Sequence, residues 1–103
     1  MVNIANGKEK ASLQAALVKA LVESGQVRLT ASAVLGARQL GFTEREALDV
    51  VMSLTDLDFH KSMTTYADHT IWQDVYRPLT VRGDVYLKLT VIDDVLIVSF
   101  KER

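Results

Sequence analysis

Residues 85–101 read VYLKLTVIDDVLIVSFK, which is the pattern of a β-hairpin. β-Branched and aromatic residues fill two runs of this stretch, and these residue types are enriched in strands. The two aspartates at positions 93 and 94 separate the runs and predict a two-residue turn. Counting outward from that turn gives the cross-strand pairs Ile92–Val95, Thr90–Ile97, Lys88–Ser99 and Tyr86–Lys101. The hairpin therefore predicts an antiparallel sheet.

The register of this hairpin decides which of its faces is buried. One face is wholly apolar in the predicted register and carries Val85, Leu87, Leu89, Val91, Leu96, Val98 and Phe100. The opposite face is mixed and carries lysines, a tyrosine and hydroxyl groups. A slip of one residue would turn the lysines inward. We therefore expect the apolar face to pack on helices and the mixed face to stay open.

Helix signals precede the sheet. Apolar residues with i, i+3, i+4 spacing over residues 13–21 predict an amphipathic helix. Residues 27–29 are expected to form a short extended link. Thr30 predicts the start of a second helix, and Thr43 with Glu46 forms the capping-box pattern that opens a third.

Strand signals dominate after residue 57. The segments expected to be strands are 59–63, 70–79, 85–92 and 95–101, with a turn at Arg82, Gly83 and Asp84. This order predicts an α+β fold, with N-terminal helices packed on one face of a C-terminal antiparallel sheet. We expect a single domain over residues 1–103, with residues 1–10 as a flexible tail.

Composition limits the possible chemistry. The chain of 103 residues is 49% hydrophobic and contains no cysteine. Disulfides, zinc–thiolate sites and thiol nucleophiles are therefore excluded. The sequence has no Gly-rich phosphate loop and no acidic cluster, so we expect no cofactor and no metal ion. The formal net charge is −1, so a nucleic acid requires basic residues gathered on one face.

The N-terminal ten residues are mostly polar and lack the apolar run of a secretory signal. The longest apolar runs elsewhere are too short to cross a bilayer. We therefore expect no membrane association and a cytoplasmic location.

The C-terminal half carries a resemblance to a known family. Residues 60–78 read HKSMTTYADHTIWQDVYRP, and residues 85–88 and 94–101 read VYLK and DVLIVSFK. Together with residues 24–28 and the Leu-Gly helix end at 40–41, they resemble the MqsR family of bacterial toxins. The resemblance implies a RelE-like fold and metal-independent cleavage of mRNA at a short GC-containing triplet. It also implies neutralisation by an MqsA-type antitoxin.

The same resemblance implies an active site made of Lys61, Gln73, Tyr86 and Lys101. The residues themselves support part of this set. Tyr86 and Lys101 face each other in the predicted hairpin, where they can supply proton transfer and positive charge when a 2′-hydroxyl attacks the adjacent phosphate. The alternative is that Tyr86 and Lys101 are an ordinary solvent-exposed cross-strand pair with no catalytic role.

Two basic side chains are candidates for RNA binding beside this pair. Lys88 lies on the mixed face of the hairpin. Arg77 is expected on the same face as Lys88 if Arg82 and Gly83 form a tight turn. There it can grip a phosphate through two hydrogen bonds, or it can be an ordinary surface arginine.

The remaining candidates are less well placed by the sequence. Tyr66 can stack on an RNA base, and His69 is the better functional candidate of the two histidines. His60 and His69 invite a two-histidine ribonuclease interpretation, but no spacing brings them together, and a structural role is the alternative for each. Gln73 is expected opposite Ile92, away from Tyr86, so base recognition or packing is its alternative role.

Two other function classes stay open on the sequence. Three helices followed by hairpins also outline a winged-helix DNA-binding module. Its third helix, however, would present Glu44, Glu46 and Asp49 to DNA. A protein-interaction module with an exposed sheet edge is the other alternative.

Overall fold

A computed structural model of the chain describes residues 4–5, 8–64 and 71–102, and it places side chains in residues 15–64 and 71–102. The helices are α1 (Lys8–Glu23), α2 (Ala31–Gln39) and α3 (Glu44–Met52), with one 3-10 turn at Asp56–Asp58. The strands are β1 (Ile4–Ala5), β2 (Val27–Leu29), β3 (Phe59–Thr64), β4 (Trp72–Tyr76), β5 (Leu79–Thr80), β6 (Gly83–Val91) and β7 (Val95–Glu102). The predicted α+β fold is confirmed, and its RelE-like character stays a prediction.

The sheet is mixed rather than wholly antiparallel. Its strand order is β1-β3-β4-β6-β7-β2, and β5 pairs with β6 beside this path. The expected link at residues 27–29 is instead strand β2, which runs parallel to β7. This pairing satisfies backbone groups along the edge of β7 that would otherwise lack partners. Three residues are too few to show a period of two, so the sequence pattern did not reveal this strand.

Structure also extends into the segment expected to be a tail. Ile4 pairs with Met63 and Ala5 pairs with Ser62, which makes β1 an edge strand. Helix α1 then begins at Lys8, before the apolar stripe that predicted it. No helix within the described residues is both long enough and apolar enough to cross a membrane.

The predicted helix starts are confirmed by their caps. The Thr30 hydroxyl accepts a hydrogen bond from the Ala33 N–H at the start of α2. It also donates to the Val98 carbonyl oxygen at 2.8 Å, which ties the helix start to β7. Thr43 and Glu46 form the expected capping box at the start of α3. Both caps satisfy backbone N–H groups that have no partner within the helix.

The β6–β7 hairpin keeps only part of its predicted register. Tyr86 pairs with Lys101 and Lys88 pairs with Ser99, as expected. Nearer the turn the predicted pairs are wrong, because the observed ones are Val91–Val95, Thr90–Leu96 and Leu89–Ile97. The turn therefore has three residues, 92–94, and a bulge after Lys88 restores the register. Arg28 of β2 holds the Asp94 carboxylate at 2.6 Å, a contact that spacing within the hairpin cannot reveal.

The shifted register changes which side chains fill the core. Val95 and Ile97 are fully buried, whereas Leu96 and Val98, expected to be buried, are only partly covered. The buried residues of the hairpin are Val85, Leu87, Leu89, Val95, Ile97 and Phe100. They share one cluster with Ala33 and Ala37 of α2 and Ala47 and Val51 of α3. The helices therefore cover one face of the sheet, as predicted.

The turn between β5 and β6 also differs from expectation. Thr80 pairs with Gly83, so Val81 and Arg82 occupy the turn. The Thr80 hydroxyl accepts from the Arg82 N–H at 3.1 Å and donates to the Gly83 carbonyl oxygen at 2.8 Å. Gly83 takes a φ of +105°, which a residue with a side chain rarely adopts. The turn expected at residues 82–84 was therefore placed one residue too late.

Helix α2 lies so close to β7 that one position requires glycine. A Cβ atom on Gly36 would lie 1.9 Å from the Phe100 carbonyl oxygen. Helix propensity alone favours alanine over glycine by about 1 kcal/mol. We expect Gly36→Ala to destabilise the fold instead, by about 1–3 kcal/mol, because the helix must move away from the strand. Denaturant unfolding measures this change.

Ser32→Ala is the matched control, because Ser32 lies on an exposed part of the same helix. It should unfold at or slightly above the wild-type denaturant concentration. A Gly36→Ala variant as stable as the Ser32→Ala variant would contradict the close approach.

Candidate active site

The sheet face opposite the helices carries the candidate functional side chains, and we call it the open face. Side chains alternate along a strand, so Tyr86 and Lys88 point away from the helices where Val85, Leu87 and Leu89 point toward them. On the open face of β3, β4, β6 and β7, the side chains fall into rows that run across the strands. Three rows hold the candidate residues.

The first row contains Lys101, Tyr86, Arg77 and His60. Lys101 and Tyr86 are a ladder pair, and the Lys101 Nζ lies 5.3 Å from the centroid of the Tyr86 ring. Arg77 stands opposite Tyr86, because the β4–β6 and β5–β6 pairs share one register: Tyr76 pairs with Leu87, and Leu79 pairs with Asp84. The row ends at His60, whose Nδ1 lies 3.3 Å from the Arg77 Nη1.

Arg77 lies on the same face of the sheet as Lys88, as predicted, although the turn that sets its position differs. With a turn at Arg82 and Gly83, Arg77 would stand opposite Lys88. The observed turn at Val81 and Arg82 places it opposite Tyr86 instead. The shift is two residues along β6, so Arg77 keeps the predicted face but joins the Tyr86–Lys101 pair.

The second row contains Ser99, Lys88, Val75 and Lys61. Lys88 pairs with Ser99 on one side and with Val75 on the other, and Val75 pairs with Lys61. Val75 is fully buried, whereas both lysines are partly exposed. Lys61 and Lys88 are two strands apart, so their backbones are separated by about 10 Å.

The third row holds Gln73 and stands apart from the Tyr86–Lys101 pair. Gln73 pairs with Thr90 and Met63, not with Ile92 as expected. Thr90 is four residues from Tyr86 along β6, which is a separation of about 13 Å. The structure therefore brings Lys61, Tyr86 and Lys101 into adjacent rows and leaves Gln73 farther away.

A bulge in β3 turns two consecutive residues toward the open face. The β3–β4 register shifts between Phe59 and Lys61. Phe59 points into the core, where its ring meets the ring of Tyr76 edge-on at 5.6 Å. His60 and Lys61 then both reach the open face, which a regular strand does not allow. The sequence favoured a structural role for His60. Its position next to Lys61, a candidate catalytic residue, was the one feature of the sequence that pointed to the site.

The protonation of His60 is shifted by its surroundings. Loss of solvent lowers the pKa of His60, and the positive charges of Arg77 and Lys61 lower it further. Arginine donates hydrogen bonds but does not accept them, so the Nδ1 atom that contacts Arg77 carries the lone pair. The lowered pKa favours the neutral form of His60, and the contact with Arg77 favours the tautomer with its proton on Nε2.

Basic residues are concentrated on the open face despite the near-neutral net charge. The first two rows hold Lys61, Arg77, Lys88 and Lys101. The residue opposite Arg77, at the end of the 3-10 turn, is acidic: the Asp58 carbonyl oxygen accepts a hydrogen bond from the Arg77 N–H at 2.7 Å, and the Asp58 carboxylate accepts one from the Thr55 N–H at 2.9 Å. Elsewhere, carboxylates lie beside other arginines, at 2.6 Å for Arg28–Asp94 and 3.6 Å for both Arg45–Asp49 and Arg82–Glu46. The open face therefore gathers basic residues, as nucleic-acid binding by a chain of near-neutral net charge requires.

Two candidate residues, Tyr66 and His69, lie outside the described residues. Within residues 15–64 and 71–102, no three or more histidine, aspartate or glutamate side chains form a group able to hold a metal ion.

Comparison with known proteins adds an independent observation. The sequence model of the family described as "Motility quorum-sensing regulator, toxin of MqsA" matches residues 10–102. A curated relative from Escherichia coli (strain K12), named "mRNA interferase toxin MqsR", is 63% identical over 86 residues. The match covers 84% of this chain and 88% of the relative.

Lys88 provides a test of the open face as a nucleic-acid surface. Lys88→Ala should weaken RNA binding and reduce the slope of log Kd against log salt concentration by about 1, because one phosphate contact is lost. Fluorescence anisotropy with a 2′-O-methylated RNA, which cannot be cut by its own hydroxyl, measures binding alone. Arg45→Ala removes an equal charge from α3, in the helical layer, and should leave the slope unchanged. Equal effects of the two variants would rule out this face.

Proposed function

The chain belongs to the MqsR toxin family, and we propose on this basis that it is an endoribonuclease toxin that cleaves mRNA. The observation that carries the proposal is the 63% identity to an mRNA interferase over 84% of the chain. The open face supports it independently, because it places a tyrosine and several cations in adjacent rows.

The proposed reaction uses the RNA's own 2′-hydroxyl as the nucleophile. Its oxygen attacks the adjacent phosphorus, the bond from phosphorus to the 5′-oxygen breaks, and the products are a cyclic phosphate and a 5′-hydroxyl. The protein must accept the 2′-hydroxyl proton, donate a proton to the leaving oxygen and stabilise the extra negative charge. We propose that the side chains supply these functions without a metal ion.

The rows suggest a role for each group around the scissile phosphate. Arg77 lies at the centre of the first row, where its guanidinium can hold two non-bridging phosphate oxygens. Tyr86 and Lys101 lie together on one side of it, where they supply positive charge and a proton for the leaving oxygen. Lys61 and Lys88, in the next row, bind the phosphates that follow along the RNA strand.

The proposed recognition of RNA bases rests on the family and on residue chemistry. We propose that Gln73, at some distance from Tyr86, contacts a base near the cleavage point. Tyr66 is proposed to stack on a base and His69 to bind the RNA backbone. A short GC-containing sequence is the proposed target, in line with the resemblance of the chain to the family.

We also propose that an MqsA-type antitoxin neutralises this chain in the cytoplasm. The family description reads "toxin of MqsA", which supports this proposal. Growth arrest on expression of the chain alone, relieved by co-expression of such an antitoxin, tests this partner. Arrest that no MqsA-type protein relieves would exclude it.

A winged-helix function has less support. The third helix of such a module must carry side chains that bind DNA. Helix α3 exposes Glu44 and Asp49, which repel phosphates, and the basic residues are on the sheet.

Product analysis tests the proposed chemistry. In a chelator, purified protein should cut a defined transcript at its normal rate and leave a 5′-hydroxyl, because the nucleophile and the catalytic groups need no metal. The 5′ ends are scored by whether polynucleotide kinase labels them without prior phosphatase treatment. Cleavage that a chelator abolishes and magnesium restores would contradict the mechanism.

Tyr86 and Lys101 test the location of the site. Tyr86→Phe and Lys101→Ala should each slow single-turnover cleavage on the order of a hundredfold or more, because a transition-state contact is lost. Both should unfold within about 1 kcal/mol of wild type, because a partly exposed cross-strand pair contributes little to stability.

Ile92→Ala is the control for these variants, since Ile92 lies exposed in the turn of the same hairpin, outside the first two rows. It should cut at the wild-type rate. Wild-type cleavage by both Tyr86→Phe and Lys101→Ala would move the active site elsewhere. A protein-interaction module, which needs neither group, would give that same result.

A further inference from the structure

His60 has a position on the open face that the proposed roles leave unused. It ends the first row, on the far side of Arg77 from Tyr86 and Lys101. Among the described residues it is the one imidazole, and imidazole exchanges protons near neutral pH.

We propose that His60 is the general base that takes the 2′-hydroxyl proton during RNA cleavage. The proposal deepens the proposed function and rests on it, because it assigns a residue to a step that the endoribonuclease reaction requires. The geometry of the row, the contact between Nδ1 and Arg77 and the surrounding charges each support the assignment.

The order of groups in the row matches an in-line displacement. In such a reaction the attacking oxygen and the leaving oxygen lie on opposite sides of the phosphorus. A phosphate held by Arg77 would have His60 on one side and Tyr86 with Lys101 on the other. The flanking strands are each about 5 Å from the strand of Arg77, which is close enough for both sides to reach one phosphate.

The Nδ1 atom of His60 is the atom that accepts the proton. It lies 3.3 Å from the Arg77 Nη1, and the arginine is the donor in this contact. A phosphate that binds the Arg77 guanidinium competes for that donor, which releases the Nδ1 lone pair beside the bound phosphate. The attacking 2′-hydroxyl and the 3′-oxygen that carries this phosphate are on neighbouring carbons of the same ribose. The 2′-hydroxyl therefore lies close to the phosphate, where Nδ1 can reach it.

Loss of solvent and the surrounding positive charges lower the pKa of His60, which favours its unprotonated form before RNA binds. Arg77 from the end of β4 and Lys61 from its own strand are the charges that act on it, and both are positive. The nearby carboxylate of Asp58 accepts a hydrogen bond from the Thr55 N–H at 2.9 Å. A neutral imidazole is ready to accept a proton at pH 7, whereas a lysine amine is normally already protonated.

The proposed step balances as follows. The 2′-oxygen forms a bond to phosphorus while its proton passes to Nδ1, which leaves His60 as an imidazolium. The bond from phosphorus to the 5′-oxygen breaks, and that oxygen takes a proton from the Tyr86–Lys101 pair. Solvent then removes the proton from His60 and returns one to the pair, so the protein is unchanged.

The test is the pH dependence of single-turnover cleavage at saturating protein. For wild type, the rate should fall in acid, because a protonated His60 cannot accept the 2′-hydroxyl proton. His60→Gln should cut on the order of a hundredfold more slowly and lose this acid limb. Adding imidazole to His60→Gly should restore part of the rate, in proportion to its neutral fraction.

The pH dependence of cleavage by Lys61→Met distinguishes a His60 that acts as the base from a His60 that is only structural. This variant also slows cleavage, but His60 is still present, so the acid limb should persist. The limb should move to higher pH, because a positive charge that lowers the pKa of His60 is gone. Thermal unfolding of His60→Gln should match wild type, since the side chain is exposed.

The possible failures can be told apart. If wild type does not cut RNA to a 5′-hydroxyl product, the proposed function fails. If wild type cuts RNA but His60→Gln keeps the wild-type rate, His60 is not the base. A slow His60→Gln enzyme that retains the acid limb, or a wild type without one, would overturn the assignment equally.

Discussion

The backbone ladder of β6 with its two neighbours is the constraint on which the candidate site depends. This strand pairs with β4 on one side and with β7 on the other, and the two registers set the membership of every row on the open face. Val85, Leu87 and Leu89 anchor the ladder, because each is fully buried against the helical layer. A slip of one residue would bury Tyr86 and Lys88 and expose this core, which strongly favours the observed register. The same apolar contacts that stabilise the fold therefore position the polar groups above it.

The sequence predicted those parts of the fold that depend on neighbouring residues. The helix caps at Thr30 and Thr43 and the Tyr86–Lys101 pair each follow from signals a few residues long. The parallel β2–β7 pair and the Arg28–Asp94 ion pair join residues about 66 positions apart, and no local pattern encodes them. These long-range contacts also explain the incorrect turn, because Arg28 holds Asp94 from a neighbouring strand. The error stayed local, since the bulge in β7 restored the predicted pairing before the candidate site.

The distribution of charge on the folded chain also could not be predicted from neighbouring residues in the sequence. The net charge of −1 describes the chain as a whole and gives no sign of a basic surface. Carboxylates lie beside arginines of the helices, turns and edge strand, whereas the lysines of the open face come from β3, β6 and β7. Folding therefore separates charges that alternate along the chain. Because the salt dependence of nucleic-acid binding reflects the charges near each phosphate, this local concentration matters more than the total.

The bulge in β3 is the feature that sequence periodicity is least able to predict. In a regular strand, adjacent side chains point to opposite faces, so an interpretation that places Lys61 on the open face must place His60 in the core. The register shift between Phe59 and Lys61 allows both His60 and Lys61 to point to the open face, and Phe59 fills the core position beside Tyr76. The bulge thus adds an imidazole to a row that already holds an arginine, a tyrosine and a lysine. Since a bulge also re-aims the side chains it carries, it places His60 against Arg77, where loss of solvent and the positive charge of the arginine lower the pKa of the imidazole.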